Sequence, residues 1–245
     1  MSRGLTLTLL FTPILGGGCL INPGKYQERM DSFEEQAKVG AWGVYLRDRP
    51  DCIQVDMGGL ALDGAWSFEA YLQPEVRDGF VSPIVVWPGA FAFLQDATGY
   101  LIATPASNPV PSAGASTPTS LMDGGRHHVA LNHTSEGVVS IYLDGELKSS
   151  APVTFDANPE GTLELGCWSG EGETFVGILG EVRISAAALY AGSFEVPWEP
   201  YEVEQATLAL WHIDEGEGTG IGDATESYPG VLVGGSWTRF NLSSE

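Results

Sequence analysis

Positive charge is scarce in this sequence, because 11 lysine and arginine residues stand against 32 aspartate and glutamate residues, for a formal net charge of −21. A nucleic-acid-binding protein needs a basic surface that contacts phosphates, so the composition excludes nucleic acid as a partner. The acidic surface that remains favours solubility and is compatible with calcium binding, although acidity alone assigns no function.

Long hydrophobic runs are also missing, apart from one apolar run over residues 5–15. That run is too short to span a bilayer, and it follows the positive charge of Arg3, as in a secretory signal. The three glycines before Cys19 resemble the cleavage site of bacterial lipoproteins, although Gly16 replaces the usual leucine. The resemblance implies a signal peptide over residues 1–18, lipid on Cys19, and export to the bacterial cell envelope, at the outer membrane or cell surface. In the alternative, Cys19 is an ordinary cysteine near a conventional cleavage site.

Cysteine is rare, and lipidation of Cys19 would leave only Cys52 and Cys167. Exported proteins fold in an oxidising compartment, so these two residues predict a disulfide. Such a bridge would close a long loop and add about 3–4 kcal/mol to the free energy of unfolding. The alternative is a pair of buried free thiols.

Helical patterning is confined to "KYQERMDSFEEQAK", inside a predicted tether over residues 19–40. Residues 41–245 show about a dozen short apolar runs between turn residues, which predict one all-β domain, a two-sheet antiparallel β-sandwich. In "WSFEAYLQP" the apolar and polar residues alternate, which predicts a half-buried strand. One face carries Phe68, Ala70 and Leu72, and the other carries Ser67, Glu69 and Tyr71.

Three of the four histidines lie in "GRHHVALNHTSEGVVSIYLDGEL", which raises the question of a metal or catalytic site. Successive strand residues point to opposite faces, so His127 and His128 face apart, and His127 and His133 are about 20 Å apart. The geometry therefore predicts no local zinc site. It predicts a core hairpin with the histidines at its rims, in which Val129 and Leu131 face the core beside Val139, Ile141 and Leu143.

The same stretch resembles the core hairpin of LamG-like domains, the laminin-G or concanavalin A-like jelly rolls. "WSFEAYLQP", "GILGEVRIS" and "LALWHIDEGEGTGIGDATES" are similar to three further landmarks of that family, so the resemblance covers about residues 43–237. It implies a jelly-roll topology. Arg126 and His133 replace the family's usual Trp and Tyr, and the Trp-His-Ile-Asp segment follows the sandwich instead of preceding it. Either end of the chain could supply that strand if the termini lie close together.

No catalytic constellation stands out, because the chain has neither a Gly-x-Ser-x-Gly elbow nor a phosphate-binding glycine loop. Jelly rolls include glycosidases, which use two carboxylates about 5–10 Å apart, and Glu69 and Glu181 are the candidates here. The favoured alternative pairs Glu69 with Arg183 across neighbouring strands as a structural contact. The sequence therefore predicts a protein that is not an enzyme.

Calcium is the ion that the resemblance suggests, because many relatives bind it through loop carboxylates and carbonyls at the sandwich edge. The candidate ligands are Asp96, Asp123, Asp156 and Asn158, although any exposed turn contains such residues. Glycan binding uses exposed aromatic rings beside polar groups, and the candidate rings are Trp87, Phe91, Tyr100 and Trp168. In the alternative, these rings fill the core or cover its rim.

Together these features predict a non-catalytic binding module of the cell envelope, anchored by lipid on Cys19, that recognises a carbohydrate or a protein through loops of the sandwich. Its partners would be a polysaccharide or an envelope protein, and the membrane through the anchor. The alternatives are a structural or assembly protein without a small ligand, and a divergent glycoside hydrolase. Exposed aromatic rings beside acidic side chains would favour the binding module, and a flat apolar patch would favour assembly.

Overall fold

The computed structural model describes residues 42–75, 79–106, 114–117, 120–121, 123–155, 159, 161–197 and 199–240. The expected signal peptide, Cys19 and the tether lie outside these residues, as do Asp156 and Asn158. The described residues form strands and no helix, and so they contain no helix with the length and hydropathy needed to cross a membrane.

The strands, in chain order, are β1 Trp42–Leu46, β2 Cys52–Val55, β3 Trp66–Pro74, β4 Ser82–Trp87, β5 Phe91–Gln95, β6 Leu101–Pro105, β7 Ala115–Thr117, β8 His127–His133, β9 Val138–Leu143, β10 Glu146–Pro152, β11 Leu163–Leu165, β12 Cys167–Trp168, β13 Glu173–Thr174, β14 Gly177–Ser185, β15 Thr207–Trp211, β16 Gly220–Ile221, β17 Gly230–Val233 and β18 Ser236–Arg239. The strands that exceed the expected dozen include very short ones, such as β7, which has three residues.

The strands form two eight-stranded antiparallel sheets and one small hairpin. Sheet A has the order β10-β9-β8-β3-β14-β1-β18, and β15 also pairs with β14. Sheet B has the order β16-β17-β2-β11-β4-β5-β6-β7, and β12 pairs with β13. This arrangement confirms the predicted all-β class and the two-sheet antiparallel sandwich.

The main core lies between the inner faces of the two sheets, where alternation places every second residue of each strand. Phe68 of β3 packs edge-on against Phe93 of β5, with 6.3 Å between ring centroids, and Trp66 stacks on Phe91 at 4.5 Å. Each of these side chains is at most 2% exposed. Burying a side chain of this size contributes about 1.5–3 kcal/mol, so these contacts fix the two sheets face to face.

The outer face of sheet A is covered as well, so the prediction that β3 is half-buried is wrong. Glu69 and Tyr71, on that face, are 0% and 1% exposed. They lie beneath the segment between β14 and β15, residues 186–206, which we call the strap. Tyr71 donates a hydrogen bond to the carbonyl of Pro197, and Tyr190 donates one to Glu69. The described residues of the strap belong to no strand, which is why strand periodicity could not reveal it.

The predicted disulfide between Cys52 and Cys167 is present, with a Cα–Cα distance of 5.3 Å across 115 residues of sequence. It joins the first residue of β2 to the first residue of β12, so it fastens the β12–β13 hairpin to sheet B. Trp168, the next residue, packs on the outer face of sheet B. Its neighbours there are Val86, Ala92, Leu94 and Ile102.

The C-terminal segment completes both sheets. β15 pairs with one half of β14, and β1 pairs with the other half. β17 belongs to sheet B, whereas β18 belongs to sheet A and pairs with β1, so that Arg239 lies opposite Trp42. Gly234 and Gly235, both with positive φ, make the crossing between them. The two ends of the domain are therefore adjacent, as the displaced Trp-His-Ile-Asp segment requires.

Candidate ligand-binding end of the sandwich

The histidine-rich hairpin forms in the predicted register, with Leu131 of β8 opposite Ile141 of β9. His127 and His128 point to opposite faces of sheet A, as alternation requires. His133 lies at the far end of β8, where its Nδ1 is 3.1 Å from the carbonyl of Gly64. The prediction that all three lie at rims is wrong for His128, which is 0% exposed beneath the strap.

A buried charged network fills the space between sheet A and the strap. Arg183 donates from Nε and one terminal nitrogen to Oε2 of Glu69 at 2.8 and 2.7 Å. Tyr190 and Tyr201 of the strap donate to Oε1, and the His128 ring lies 3.3 Å from the same oxygen. Burial raises the pKa of Glu69, but the contacts with His128, Arg183 and Tyr190 outweigh burial and hold that pKa below its usual range. The predicted pairing of Glu69 with Arg183 is confirmed.

Glu181 is held in a second network on the same face. Its Oε1 lies 2.5 Å from Nδ1 of His212, and it accepts a hydrogen bond of 3.1 Å from the backbone nitrogen of Tyr201. The hydrogen bond to Glu181 raises the pKa of His212 above its ordinary value, against the effect of burial. Glu69 and Glu181 are 0% and 8% exposed, so both carboxylates fasten the strap and present no open acid/base pair.

The four candidate aromatic rings separate into three positions. Trp87 and Phe91 are opposite each other on the inner face of sheet B and are each 1% exposed, so the prediction that they bind a ligand is wrong. Trp168 is 8% exposed and packs on the outer face of sheet B, so its ring is also buried and presents no open face to a ligand. Tyr100 is 41% exposed in the turn between β5 and β6 and stays a candidate. Phe80, which sequence reasoning missed, is 56% exposed just before β4.

The candidate calcium ligands that can be placed are parts of turns. Oδ1 of Asp96 accepts hydrogen bonds from the backbone nitrogens of Thr98 and Tyr100, at 2.8 and 2.9 Å, and closes the β5–β6 turn. Oδ1 of Asp123 accepts from the nitrogen of Gly125 at 2.7 Å. Within the described ranges, no group of three His, Cys, Asp or Glu side chains is arranged to hold a metal ion. Calcium binding therefore stays a prediction.

His127 joins two of the acidic side chains. Its Nδ1 lies 2.8 Å from Oδ2 of Asp144, and its Nε2 lies 2.8 Å from Oδ1 of Asp123. Burial lowers the pKa of His127, but the two carboxylates outweigh burial and raise that pKa above its ordinary value. A protonated ring donates to both carboxylates, so it ties the loop before β8 to the turn after β9.

These turns meet at one end of the sandwich, which we call the loop end: Phe80, residues 96–100, residues 120–121 and 123–127, and Asp144. A Cβ on Gly99 would lie 3.1 Å from Oγ of Ser120, so the β5–β6 turn touches the loop before β8. Gln73, near the end of β3, donates to the carbonyl of Gly124 at 2.8 Å. The structure therefore places the turn that carries Asp96 and Tyr100 against the loop that carries Asp123, which the sequence could propose only singly.

The fold defines a jelly-roll sandwich whose loops carry its exposed rings and acids. A family model of the laminin G type, described as the concanavalin A-like lectin/glucanases superfamily, matches residues 49–193. Because this match spans more than half of the chain, the protein belongs to that superfamily.

Two solved structures illustrate the likeness. A protein from Bacteroides ovatus ATCC 8483, provisionally described as a carbohydrate binding protein, is 17% identical with a TM-score of 0.65, over 83% of this chain and 61% of its own. Domains LG4-5 of the mouse laminin alpha1 chain are 12% identical with a TM-score of 0.48, over 65% of this chain and 48% of theirs. The first likeness shows the fold alone, and the second carries no further weight. No curated protein sequence matches the chain.

Proposed function

We propose that this protein is a non-catalytic binding module of the bacterial cell envelope, anchored by lipid on Cys19, and that its loop end holds a carbohydrate or protein ligand. The observation that supports a site at the loop end is the exposure of two large aromatic rings there. Phe80 and Tyr100 are 56% and 41% exposed, although most aromatic side chains in the described residues are buried. An exposed ring offers an apolar face on which a sugar ring or an apolar side chain can stack.

The positions of the two rings fit one shared site. Ser82 of β4 pairs with Gln95 of β5, which pairs with Leu101 of β6, so Phe80 and Tyr100 leave the same end of sheet B. Two strand spacings separate β4 from β6, which places the two backbones about 10 Å apart. The half-buried carboxylate of Asp96 lies between them along the sheet. Aromatic faces beside a hydrogen-bonding carboxylate are the combination that carbohydrate recognition requires.

The proposal of a non-catalytic role is supported by the state of the two candidate carboxylates. An acid/base pair must reach the glycosidic bond from a shared cleft. Glu69 is ion-paired with Arg183 under the strap, and Glu181 is bound by Tyr201 and His212. Any glycan that the protein binds should therefore be recovered intact, and the release of reducing ends would contradict this role.

A glycan array, with calcium and with a chelator, is the test of the binding function. Tyr100→Ala and Phe80→Ala should each weaken binding about three- to tenfold, because each removes a stacking surface. Val231→Ala is the matched control, since Val231 is 53% exposed on β17 of the same sheet, away from the loop end. Absence of binding across the array would favour the assembly protein instead.

The anchoring proposal rests on the glycines before Cys19 and needs its own test. Metabolic labelling with a fatty acid should mark the wild-type chain and leave a Cys19→Ala variant unlabelled. Cell fractionation should then find the wild-type protein with the envelope and the variant released from membranes. Equal labelling of the two chains would remove the anchor from the proposal while leaving the binding module intact.

A further inference from the structure

We infer, on the basis of the binding function proposed above, that the loop end selects a glycan that carries free ammonium groups, an amino-sugar polymer, over neutral and anionic glycans. The inference rests on three features of the loop end: its exposed carboxylates, its lack of an available cation among the described residues, and an unpartnered amide beneath the Tyr100 turn.

Three carboxylates belong to the same end of the sandwich as the exposed rings. The side chains of Asp123 and Asp144 are 64% and 41% exposed. Asp96 uses Oδ1 for its hydrogen bonds to Thr98 and Tyr100, which leaves Oδ2 for a ligand. His127 offsets one of these charges, because it lies between Asp123 and Asp144. Arg126 also belongs to the loop end and offsets a second charge, so the loop end keeps a net charge of about −1 when His127 is protonated.

The cations of the described residues are engaged in other contacts. Arg126 stacks on the rings of Tyr71 and Phe240, at 4.9 and 4.8 Å, on the outer face of sheet A. Lys148 pairs with Glu146 at 2.6 Å. The four remaining arginines of the described residues also have partners. Arg47 lies 4.0 Å from Asp48, Arg49 donates a hydrogen bond to the carbonyl of Glu171, Arg183 pairs with Glu69, and Arg239 lies over the ring of Trp42. Outside the described residues lie Arg3, Lys25, Arg29, Lys38 and Arg77. Arg126, the arginine of the loop end, is thus held against Tyr71 and Phe240, which makes the loop end a poor site for an anionic sugar.

Gln95 provides an independent sign of a ligand. Its side chain is 2% exposed, and its Nε2 has no hydrogen-bond partner. Nε2 lies 3.5 Å from the position that a Cβ on Gly99 would occupy, so it points to the underside of the turn that presents Tyr100. A buried amide donor without an acceptor is costly, and a bound oxygen relieves that cost. A sugar hydroxyl or ring oxygen, reached directly or through one water, supplies such an acceptor.

The rings complement the apolar face of an amino sugar, and the carboxylates complement its ammonium group. The apolar face of the sugar stacks on Tyr100 or Phe80, and an ammonium group near an aromatic face gains a cation–π contribution. The carboxylates of Asp96 and Asp123 attract an ammonium group that is bound at this end of the sandwich. Opposite charges attract here across an exposed surface, so the preference weakens as salt rises.

The experiment compares glucosamine oligomers with N-acetylglucosamine oligomers of equal length, in which an uncharged acetamide group replaces each ammonium group. Binding of the full chain in detergent is measured by calorimetry at neutral pH, with a chelator present so that calcium plays no part. We expect glucosamine oligomers to bind at least about tenfold more tightly, and we expect this preference to fall with added salt. Sialylated and uronic oligomers should bind more weakly than either.

Three variants locate the preference. Asp123→Asn and Asp96→Asn keep the side-chain shape and should each weaken glucosamine binding about three- to fivefold, and should weaken the binding of neutral oligomers less. Glu202→Gln is the matched control, because it removes one exposed charge from the strap, away from the loop end. Equal losses in Glu202→Gln and Asp123→Asn would show a general charge effect and overturn the inference.

The outcomes distinguish this inference from the proposed function. Neutral oligomers that bind as tightly as glucosamine oligomers, and that require Tyr100, would overturn the charge preference and support the binding module. Binding of sialylated or uronic oligomers above the others would also overturn it. Failure of all oligomers, together with a negative glycan array, would count against both. Tight, salt-sensitive glucosamine binding that depends on Asp96, Asp123 and Tyr100 would support both.

Discussion

At the scale of single residues, the buried Glu69–Arg183 pair dominates the outer face of sheet A. Both side chains are at most 7% exposed, and two tyrosines of the strap share the carboxylate. A buried charge is tolerated only while its partners remain, so this pair makes the attachment of the strap depend on a few polar contacts.

Removing one partner should therefore be costly. Glu69→Leu, which leaves the guanidinium of Arg183 without its carboxylate, should lower the free energy of unfolding by about 3–5 kcal/mol. Chemical denaturation followed by fluorescence measures this change, and Glu202→Gln serves as an exposed control. A double variant, Glu69→Leu with Arg183→Met, should recover part of the loss, because it removes both charges. A loss below about 1 kcal/mol for Glu69→Leu would show that the ion pair contributes little to the stability of the fold.

The His212–Glu181 contact predicts a pH dependence. The pKa of His212 in the folded protein is above its unfolded value of 6.5, so the stabilisation is fully present below 6.5 and is lost as pH rises through the folded value. The free energy of unfolding of the wild type should therefore fall across this window relative to His212→Gln, which keeps a donor for Glu181 without titrating. The side chain is 35% exposed, so solvent screens the effect. Parallel pH profiles of the two proteins would contradict the contribution of His212.

Alternation along strands explains which residue-scale predictions succeed. It places Glu69 and Arg183 on one face of neighbouring strands, which is enough to predict their pairing. Strand alternation also places Phe91 and Phe93 together on the inner face of β5. The prediction that Phe91 binds a ligand did not take this alternation into account. Phe80 and the strap lie outside strands, so no periodicity marks them. A lone phenylalanine after "RDG" was the available signal for Phe80.

At the scale of elements, the disulfide joins the short β12–β13 hairpin to β2 of sheet B. Cys52 and Cys167 are 2% and 4% exposed, and the hairpin that begins at Cys167 places Trp168 on the outer face of sheet B. The β12–β13 pairing involves only two residue pairs, which is too little for independent stability. The hairpin therefore depends on the bridge and on the packing of Trp168.

Replacing both cysteines with serine should lower the free energy of unfolding by about 3–5 kcal/mol, because the bridge closes a loop of more than a hundred residues. Denaturant unfolding without reductant measures the change, and the wild type in reductant provides a second comparison. A non-reducing mass map should find the two cysteines linked in the wild type. Unchanged stability in the double variant would mean that packing alone holds the hairpin.

Turn residues mark the longer hairpins in the sequence, because "DATG" lies between β5 and β6 and "TSEG" lies between β8 and β9. The pairings of two or three residues in β7, β12, β13 and β16 show no period and could not be found in this way. The loop end illustrates the same limit. Each of its turns is visible in the sequence, but their meeting depends on how the two sheets pack.

At the scale of the whole molecule, the first and last strands are neighbours. Trp42 of β1 is the pairing partner of Arg239 of β18, and the guanidinium of Arg239 lies 4.2 Å from the Trp42 ring centroid. The family resemblance anticipated this closeness from the displaced Trp-His-Ile-Asp segment. Periodicity alone could not, because it carries no information on strand order between sheets.

A circular permutant should therefore fold. A short glycine-serine linker joins residue 240 to residue 42, and new ends are opened between the exposed Glu204 and Gln205. The chain then begins with β15, which restores the strand order of the family. We expect one cooperative unfolding transition and a native far-ultraviolet spectrum, because the termini already meet. A permutant opened inside β3 is the control that should not fold.

The position of β1 between β14 and β18 also decides how the domain carries load. The strand runs from Trp42 toward the loop end, because Leu46 lies opposite Gly177, which in turn lies opposite Pro74 at the end of β3. A force applied through the residues before Trp42, against a ligand held at the loop end, therefore acts along the strand axis. Hydrogen bonds loaded in this direction share the force and must break together, on both sides of β1. The domain is thus arranged to resist traction in shear instead of opening one bond at a time.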